Sequence, residues 1–67
     1  MSMQAMIRRI KRNDQRESEG WTRLQVLEAE QKVYKRFLRR NWTVRPEWDK
    51  VEFMLRMNQG RIERMSR

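Results

Sequence analysis

Apolar residues recur at helical spacing in three segments of the chain, and no segment alternates with the period of two typical of a strand. The first segment covers about residues 2–12, with Ser2 as the N-cap. Its apolar face consists of Met3, Met6, Ile7 and Ile10. Residues 13–21 are polar, lack periodicity and contain Gly20, so the pattern predicts a loop there.

The second segment covers about residues 22–41 and begins with a clear signal. Thr22 followed by Gln25 fits a capping box, in which each side chain bonds the other residue's backbone N–H. The apolar stripe that follows has the spacing of a core-facing helix. It consists of Val26, Leu27, Val33, Tyr34, Phe37 and Leu38.

The third segment covers about residues 46–65. Pro46 is predicted at the first helical position, where proline is tolerated, and Glu47 and Asp49 place negative charge in the first turn. The apolar stripe consists of Trp48, Val51, Met54, Leu55, Ile62 and Met65. Gly60 interrupts it at a cost of about 1 kcal/mol relative to alanine, which is typical of close packing or of a frayed end.

Together these patterns predict one all-α domain over residues 1–67. The expected fold is a small three-helix bundle, with a short first helix and two longer antiparallel helices. The residues expected in the core are Val33, Phe37, Trp48, Val51, Met54, Leu55 and Ile62. A chain of this length buries only about 60 % of its unfolded surface, so docking on a larger partner would add stability.

The net charge of the chain indicates the kind of partner more clearly than any motif does. The chain carries 17 Lys+Arg against 9 Asp+Glu, for a net charge of +8. Most of the basic residues are arginine, whose planar fork suits phosphates and carboxylates, so a polyanionic partner is expected: RNA or an acidic protein surface. No apolar run approaches the roughly 20 residues of a membrane span.

The chemistry of the side chains argues against an enzyme. Cysteine and histidine are both missing from the sequence, so neither a thiolate nor an imidazole can act as base, nucleophile or metal ligand. The carboxylates do not follow the spacing of a calcium loop, and no glycine-rich phosphate cradle is present. We therefore expect no catalytic residues and no metal site.

The arginine-rich segment at residues 36–48 is the best candidate for an interaction surface. The helical phases assign Phe37 and Trp48 to the core, and leave four arginines and Trp42 outside it. The arginines are Arg36, Arg39, Arg40 and Arg45. They could contact phosphates while Trp42 stacks on a base, or they could be an ordinary solvated helix face, and Trp42 could instead anchor a protein partner.

The first segment has a second interpretation. It is basic and contains no acidic residue before Asp14, and this amphipathic pattern resembles a mitochondrial import signal. The alternative is a helix that belongs to the fold, which could double as an uncleaved signal.

The order of residues in the second half resembles the LYR-motif proteins, also called complex I LYR-like proteins. The resemblance covers about residues 33–65, in the segments "KRFLRRN" and "KVEFMLRMNQGRIERM". Phe37 matches the family's second-helix phenylalanine. The third-helix pattern falls on Val51, Glu52, Met54, Leu55, Arg56 and Ile62. Met6-Ile7-Arg8 is the nearest equivalent of the Leu-Tyr-Arg that gives the family its name.

This resemblance implies a small adaptor or accessory subunit of the mitochondrial matrix. Family members bind the acidic acyl carrier protein, and the acyl chain on its phosphopantetheine arm inserts between the helices. The pair then serves the assembly of respiratory complexes or the mitochondrial ribosome. By this resemblance Arg8 would contact the carrier protein. Charge alone adds Arg9, Lys35, Arg36, Arg39 and Arg40 as further contacts.

Two hypotheses of function therefore stand side by side. The first is the LYR-like adaptor, with no cofactor of its own beyond the partner's acyl-phosphopantetheine. The second is a small basic ribosomal protein that contacts rRNA phosphates through its arginines, with Trp42 and Arg45 as anchors. A phage or bacterial regulator that binds a host protein is a third alternative.

Overall fold

The computed structural model describes residues 2–43 and 45–66, and within them the chain forms a small bundle of three α-helices, as the apolar stripes predict. The described residues contain no strand. The helices are α1 (Met3–Arg16), α2 (Arg23–Arg40) and α3 (Glu47–Met65), and a single 3₁₀ turn at Glu17–Glu19 follows α1.

The first helix is longer than its apolar stripe suggests, so the predicted loop over residues 13–21 is wrong for its first part. α1 continues to Arg16 because the polar residue Asn13 is buried in the bundle, with 7 % of its surface exposed. The chain turns only at Gly20, whose φ of 108° lies in the left-handed region that favours glycine. The N–H of Trp21 then donates to the Arg16 carbonyl over 3.0 Å, which ends the helix.

The predicted capping box at the start of α2 is confirmed. Thr22 Oγ1 accepts from the Gln25 N–H over 3.1 Å, and Gln25 Oε1 accepts from the Thr22 N–H over 2.9 Å. These two bonds satisfy donors that a helix N-terminus otherwise leaves without partners. At the other end, the Asn41 side chain donates to the carbonyl of Phe37 over 3.0 Å and closes the last turn.

The third helix begins one residue later than predicted. Pro46 stands at the N-cap instead of the first helical position, and Glu47 is the first helical residue. Glu47 and Asp49 lie in the first turn as predicted, where the positive end of the helix dipole favours a carboxylate.

Two hydrogen bonds show how α3 lies against α2. The Trp48 indole N–H, near the start of α3, donates to the carbonyl of Leu38 near the end of α2 over 2.9 Å. Asn58, further along α3, donates over 2.9 Å to the carbonyl of Leu27 near the start of α2. The partners run in opposite order along the two helices, so α2 and α3 are antiparallel.

Among the described residues six apolar side chains are buried, and Val26 and Leu27 are two of them. The other four come from all three helices and form one cluster: Met6, Tyr34, Phe37 and Val51. Six partly buried side chains surround it. They are Met3, Ile10, Val33, Leu38, Met54 and Leu55. Burying a side chain such as Phe37 stabilises the fold by about 1.5–3 kcal/mol, so packing in this cluster contributes much of the stability of the bundle.

The residues expected in the core divide into two groups. Phe37 and Val51 are 1 % and 0 % exposed. Three more pack against the cluster: Val33, Met54 and Leu55. Trp48 and Ile62 are only half-buried, because Trp48 caps the end of α2 with its indole N–H and Ile62 lines a surface groove between α2 and α3.

Among the described residues, no helix is both long enough and apolar enough to cross a membrane.

Candidate functional site

The exposed side of α2 carries a row of five basic residues at helical spacing. They line a shallow cavity of about 370 Å³ and are Lys32, Lys35, Arg36, Arg39 and Arg40. All five are exposed, because the apolar stripe of α2 turns the opposite side of the helix towards α1 and α3. From Lys32 to Arg40 the row extends for about 12 Å along the helix axis.

The first helix extends this row. Arg9 of α1 lines a neighbouring cavity of about 190 Å³ together with Lys32, Val33 and Arg36 of α2. Arg9 and the five basic residues of α2 form one surface, which we call the basic face. Arg8, expected beside Arg9, is exposed on α1 but lines neither of these two cavities.

The basic face is not neutralised within the described part of the chain. The three ion pairs found there join Arg23 to Glu17, Arg45 to Asp49 and Arg56 to Glu52, and none of them uses a residue of the basic face. Glu28 lines two cavities together with Lys32 but forms no ion pair with it. Basic side chains held close together without ion-pair partners raise the local positive potential and attract an anionic partner.

The charge of the molecule is distributed unequally among its helices. α1 carries five basic residues and one acidic residue, and α2 carries six basic and two acidic residues. α3 carries four of each and has no net charge. The excess positive charge therefore belongs to α1 and α2, the two helices that form the basic face.

Trp42 and Arg45, the two expected anchors, are in different situations. Trp42 lies in the connection after α2 and is 67 % exposed, so its ring is open to a partner. The Arg45 guanidinium pairs with the carboxylate of Asp49 and lies 4.9 Å from the centre of the Trp48 ring. Arg45 therefore helps to fix the start of α3, and its role as an anchor for a partner stays a prediction.

The sequence did not predict a layer of buried polar side chains, which lies next to the apolar core between the helices. Its most buried member is Asn58 of α3, 2 % exposed, which donates to the Leu27 carbonyl and also to Gln31 Oε1 over 2.8 Å. Gln31 in turn donates to Gln59 Oε1 over 2.8 Å. Asn58 Oδ1 has no partner among the described residues, which leaves one buried acceptor in this layer unsatisfied.

The same layer contains a buried acid. Glu30 of α2 is 5 % exposed, and its carboxyl group can share a hydrogen bond with the carboxyl group of Asp14 on α1. Burial, the hydrogen bond and the negative charge of Asp14 raise the pKa of Glu30 from 4.5 to about 8, against the opposing charges of Arg23 and Arg61. At neutral pH Glu30 is therefore mostly protonated and can donate to Asp14.

Tyr34, one turn along α2 from Glu30, is affected by the same surroundings. Burial raises the pKa of the Tyr34 phenol, and the nearby carboxyl groups of Glu30 and Asp14 raise it further. Two carboxyl groups and a phenol in one place are a combination that enzymes use for proton transfer. Here Glu30 and Tyr34 are buried on α2 while Asp14 is exposed on α1, so the three groups form a contact between the two helices.

The apolar stripes did contain a signal for this layer. The stripe of α2 has polar residues at Glu30 and Gln31, where its spacing calls for apolar ones, and the stripe of α3 has Asn58 at the corresponding position. Because α2 and α3 are antiparallel, these interruptions meet at the same level of the bundle.

The cavities of the described residues have mixed linings of charged, polar and apolar side chains. One of about 490 Å³ lies between the end of α1 and the start of α2, next to Trp21, and Glu28, Lys32 and Arg16 contribute to its wall. The Arg16 guanidinium lies over the Trp21 ring at 4.6 Å, so this aromatic ring already has a cationic partner.

Comparison of the chain with family models, with curated proteins and with solved structures finds no match. Among the described surfaces of the chain, the basic face is the most distinctive.

Proposed function

We propose that this chain is a non-enzymatic adaptor that binds an acidic protein through its basic face. The observation that carries the proposal is the row from Lys32 to Arg40, joined by Arg9 and without a carboxylate partner among the described residues. Arginine keeps its charge when a partner covers it and can bind a carboxylate with two parallel hydrogen bonds, which suits an acidic protein surface.

The resemblance to the LYR-motif proteins gives this partner a specific candidate. By that resemblance the acidic protein is the mitochondrial acyl carrier protein, and the pair works inside a large mitochondrial assembly. Lys35, Arg36, Arg39 and Arg40 would bind the acidic carrier protein, with Arg8 and Arg9 reaching it from α1.

The acyl chain of the carrier protein is a separate part of this proposal. Met6 and Phe37 are each 1 % exposed and fill the centre of the bundle, so an acyl chain can enter between the helices only if these side chains move. Adaptable methionines make such movement cheaper than it would be in a core of branched residues. A carrier protein with an acyl chain should then bind more tightly than the same protein without one.

A single observation favours the second candidate function, which is binding to RNA. Trp42 is 67 % exposed and follows Arg39 and Arg40 by two or three residues, which combines an aromatic stacking surface with cations that can neutralise phosphates. In this case the chain would be a small ribosomal or other RNA-binding protein.

The two candidates can be separated by titration of the purified chain. One series uses acyl carrier protein, with and without an acyl chain, and the other uses single-stranded RNA. Arg36→Gln/Arg39→Gln should weaken binding of the acidic protein about tenfold, since each exposed charge contact contributes up to about 1 kcal/mol. Lys11→Gln/Lys50→Gln removes the same charge outside the two cavities and should leave binding nearly unchanged.

The outcome assigns the function. Binding of the carrier protein that depends on the basic face supports the adaptor. Binding of RNA alone, weakened by Trp42→Ala and falling steeply with added salt, replaces the adaptor by the RNA-binding function. Equal losses in both double variants would mean that only net charge matters and would overturn the proposed site.

A further inference from the structure

The side of α3 that faces away from α2 has two large apolar side chains in contact with solvent. Phe53 is 64 % exposed and Met57 is 47 % exposed. They are four residues apart, so they are neighbours on the helix surface. The apolar stripe of α3, which contains Val51 and Leu55, lies on the opposite side, and we call the side with Phe53 and Met57 the outer face of α3.

Gly60 lies on this outer face, three residues after Met57. The space where a Cβ would stand is open, with no atom within 4 Å. Packing inside the chain therefore does not require a glycine here, although glycine weakens a helix. A position without a side chain beside exposed apolar groups forms a recess, and an aromatic ring from another chain can pack closely over it.

The charges of α3 indicate which chain could bind there. A molecule with a net charge of +8 repels its own copies, but α3 has no net charge, so this repulsion is weakest on α3. The first part of α3 is acidic, with Glu47, Asp49 and Glu52 against Lys50, although Asp49 and Glu52 also pair with Arg45 and Arg56 of their own chain. The second part is basic, with Arg56, Arg61 and Arg64 against Glu63.

An antiparallel pair of α3 helices sets the acidic part of each against the basic part of the other, whereas a parallel pair sets like charges together. Antiparallel alignment also places the positive end of each helix dipole beside the negative end of the other, which is favourable. If the two copies are centred between Arg56 and Met57, Phe53 of each chain lies level with Gly60 of the other. The exposed ring and the recess are then matched twice, once on each side of the two-fold axis.

We propose that the outer face of α3 binds a second copy of this chain, with the two α3 helices antiparallel and each Phe53 packed over Gly60 of the other copy. Such a dimer leaves both basic faces free, because they belong to α1 and α2. It also gives a small bundle more buried apolar surface than one copy can bury alone. This inference is independent of the identity of the partner on the basic face.

Sedimentation of the purified chain over a range of concentrations tests the dimer. The chain should shift from monomer to dimer, and Phe53→Gln and Gly60→Gln should each weaken the dimer about tenfold or more. Trp42→Gln removes an aromatic ring of similar exposure elsewhere and should leave the dimer intact. Circular dichroism checks that every variant is folded. A chain that stays monomeric at all concentrations, or a dimer that only Trp42→Gln disrupts, would overturn the proposal.

Disulfide formation tests the orientation, since the chain has no cysteine of its own. Under mild oxidation, a mixture of Phe53→Cys and Gly60→Cys chains should form the mixed disulfide faster than either variant forms a disulfide with itself. Met57→Cys should link to itself, because it lies beside the two-fold axis. Preferential linking of Phe53→Cys to itself would show a parallel pair and contradict the antiparallel arrangement.

Discussion

The carboxyl group of Glu30 on α2 has the carboxyl group of Asp14 on α1 as its neighbour, and burial together with this neighbour raises the pKa of Glu30 to about 8. A proton shared by the pair favours this contact between α1 and α2, because two negative charges here would repel each other. Stability and protonation are therefore linked at this point of the bundle.

The first prediction concerns pH. Glu30 has a pKa near 4.5 when unfolded and about 8 when folded, so its contribution is fully present below about pH 4.5 and is lost as pH rises through 8. The largest loss from this group is about 5 kcal/mol. Urea unfolding at a series of pH values should show stability falling over this window.

Glu30→Gln isolates the effect, because its amide can still donate to Asp14 but does not ionise. This variant should be more stable than the original chain at pH 8 and should show a much flatter pH dependence. Glu28→Gln, an exposed neighbour, should retain the original slope. Parallel curves for the original chain and Glu30→Gln would contradict the assignment.

The second prediction concerns Asn58. Its side chain donates to the Leu27 carbonyl and to Gln31 while fully buried, so Asn58→Ala removes both bonds and leaves a cavity. The free energy of unfolding should fall by about 2–4 kcal/mol. Gln59→Ala, which changes an exposed amide of the same network, should cost less than about 1 kcal/mol. Equal effects in chemical denaturation would argue against a central role for Asn58.

The third prediction contrasts the two glycines. Gly60→Ala should stabilise the chain by about 1 kcal/mol, because the position is helical and a Cβ meets no neighbour. Gly20→Ala should destabilise it by about 1–2 kcal/mol, because φ at Gly20 is 108°. Thermal unfolding at low protein concentration, where self-association is suppressed, measures both. A gain in stability for Gly60→Ala together with a loss for Gly20→Ala would show that the helix tolerates alanine at residue 60 and that the turn does not tolerate it at residue 20.

The fourth prediction contrasts two tryptophans. Trp48→Phe loses the indole bond to the Leu38 carbonyl and should reduce stability by about 1 kcal/mol. Trp42→Phe changes a ring that is 67 % exposed and should alter stability by less than about 0.5 kcal/mol. Similar losses would mean that Trp42 is also a structural residue and not a surface for a partner.

The helices themselves could be predicted from the sequence because their signals are local. Apolar periodicity identified all three, and the capping box of Thr22 and Gln25 marked the start of α2 within one residue. The end of α1 could not be located in this way. Asn13 looks like a loop residue in the sequence and becomes helical because the bundle buries it, which is a tertiary effect.

The buried polar layer was harder to predict for a related reason. Glu30, Gln31 and Asn58 each look like an ordinary interruption of an apolar stripe. Only the antiparallel packing of α2 against α3 brings Asn58 to Gln31, and only the packing of α1 on α2 brings Asp14 to Glu30. Most of the basic face could be predicted from the sequence, since its α2 residues lie on one helix. The approach of Arg9 from α1 depends on the fold and could not be predicted in this way.

Binding of an acidic protein through the basic face is the central claim, and nuclear magnetic resonance tests it most directly. The ¹⁵N-labelled chain would be titrated with unlabelled acyl carrier protein while the backbone amide shifts are followed. We predict the largest changes at Arg9 and from Lys32 to Arg40, with small changes on the outer face of α3 around Phe53. No changes at all, or changes confined to α3, would contradict the claim.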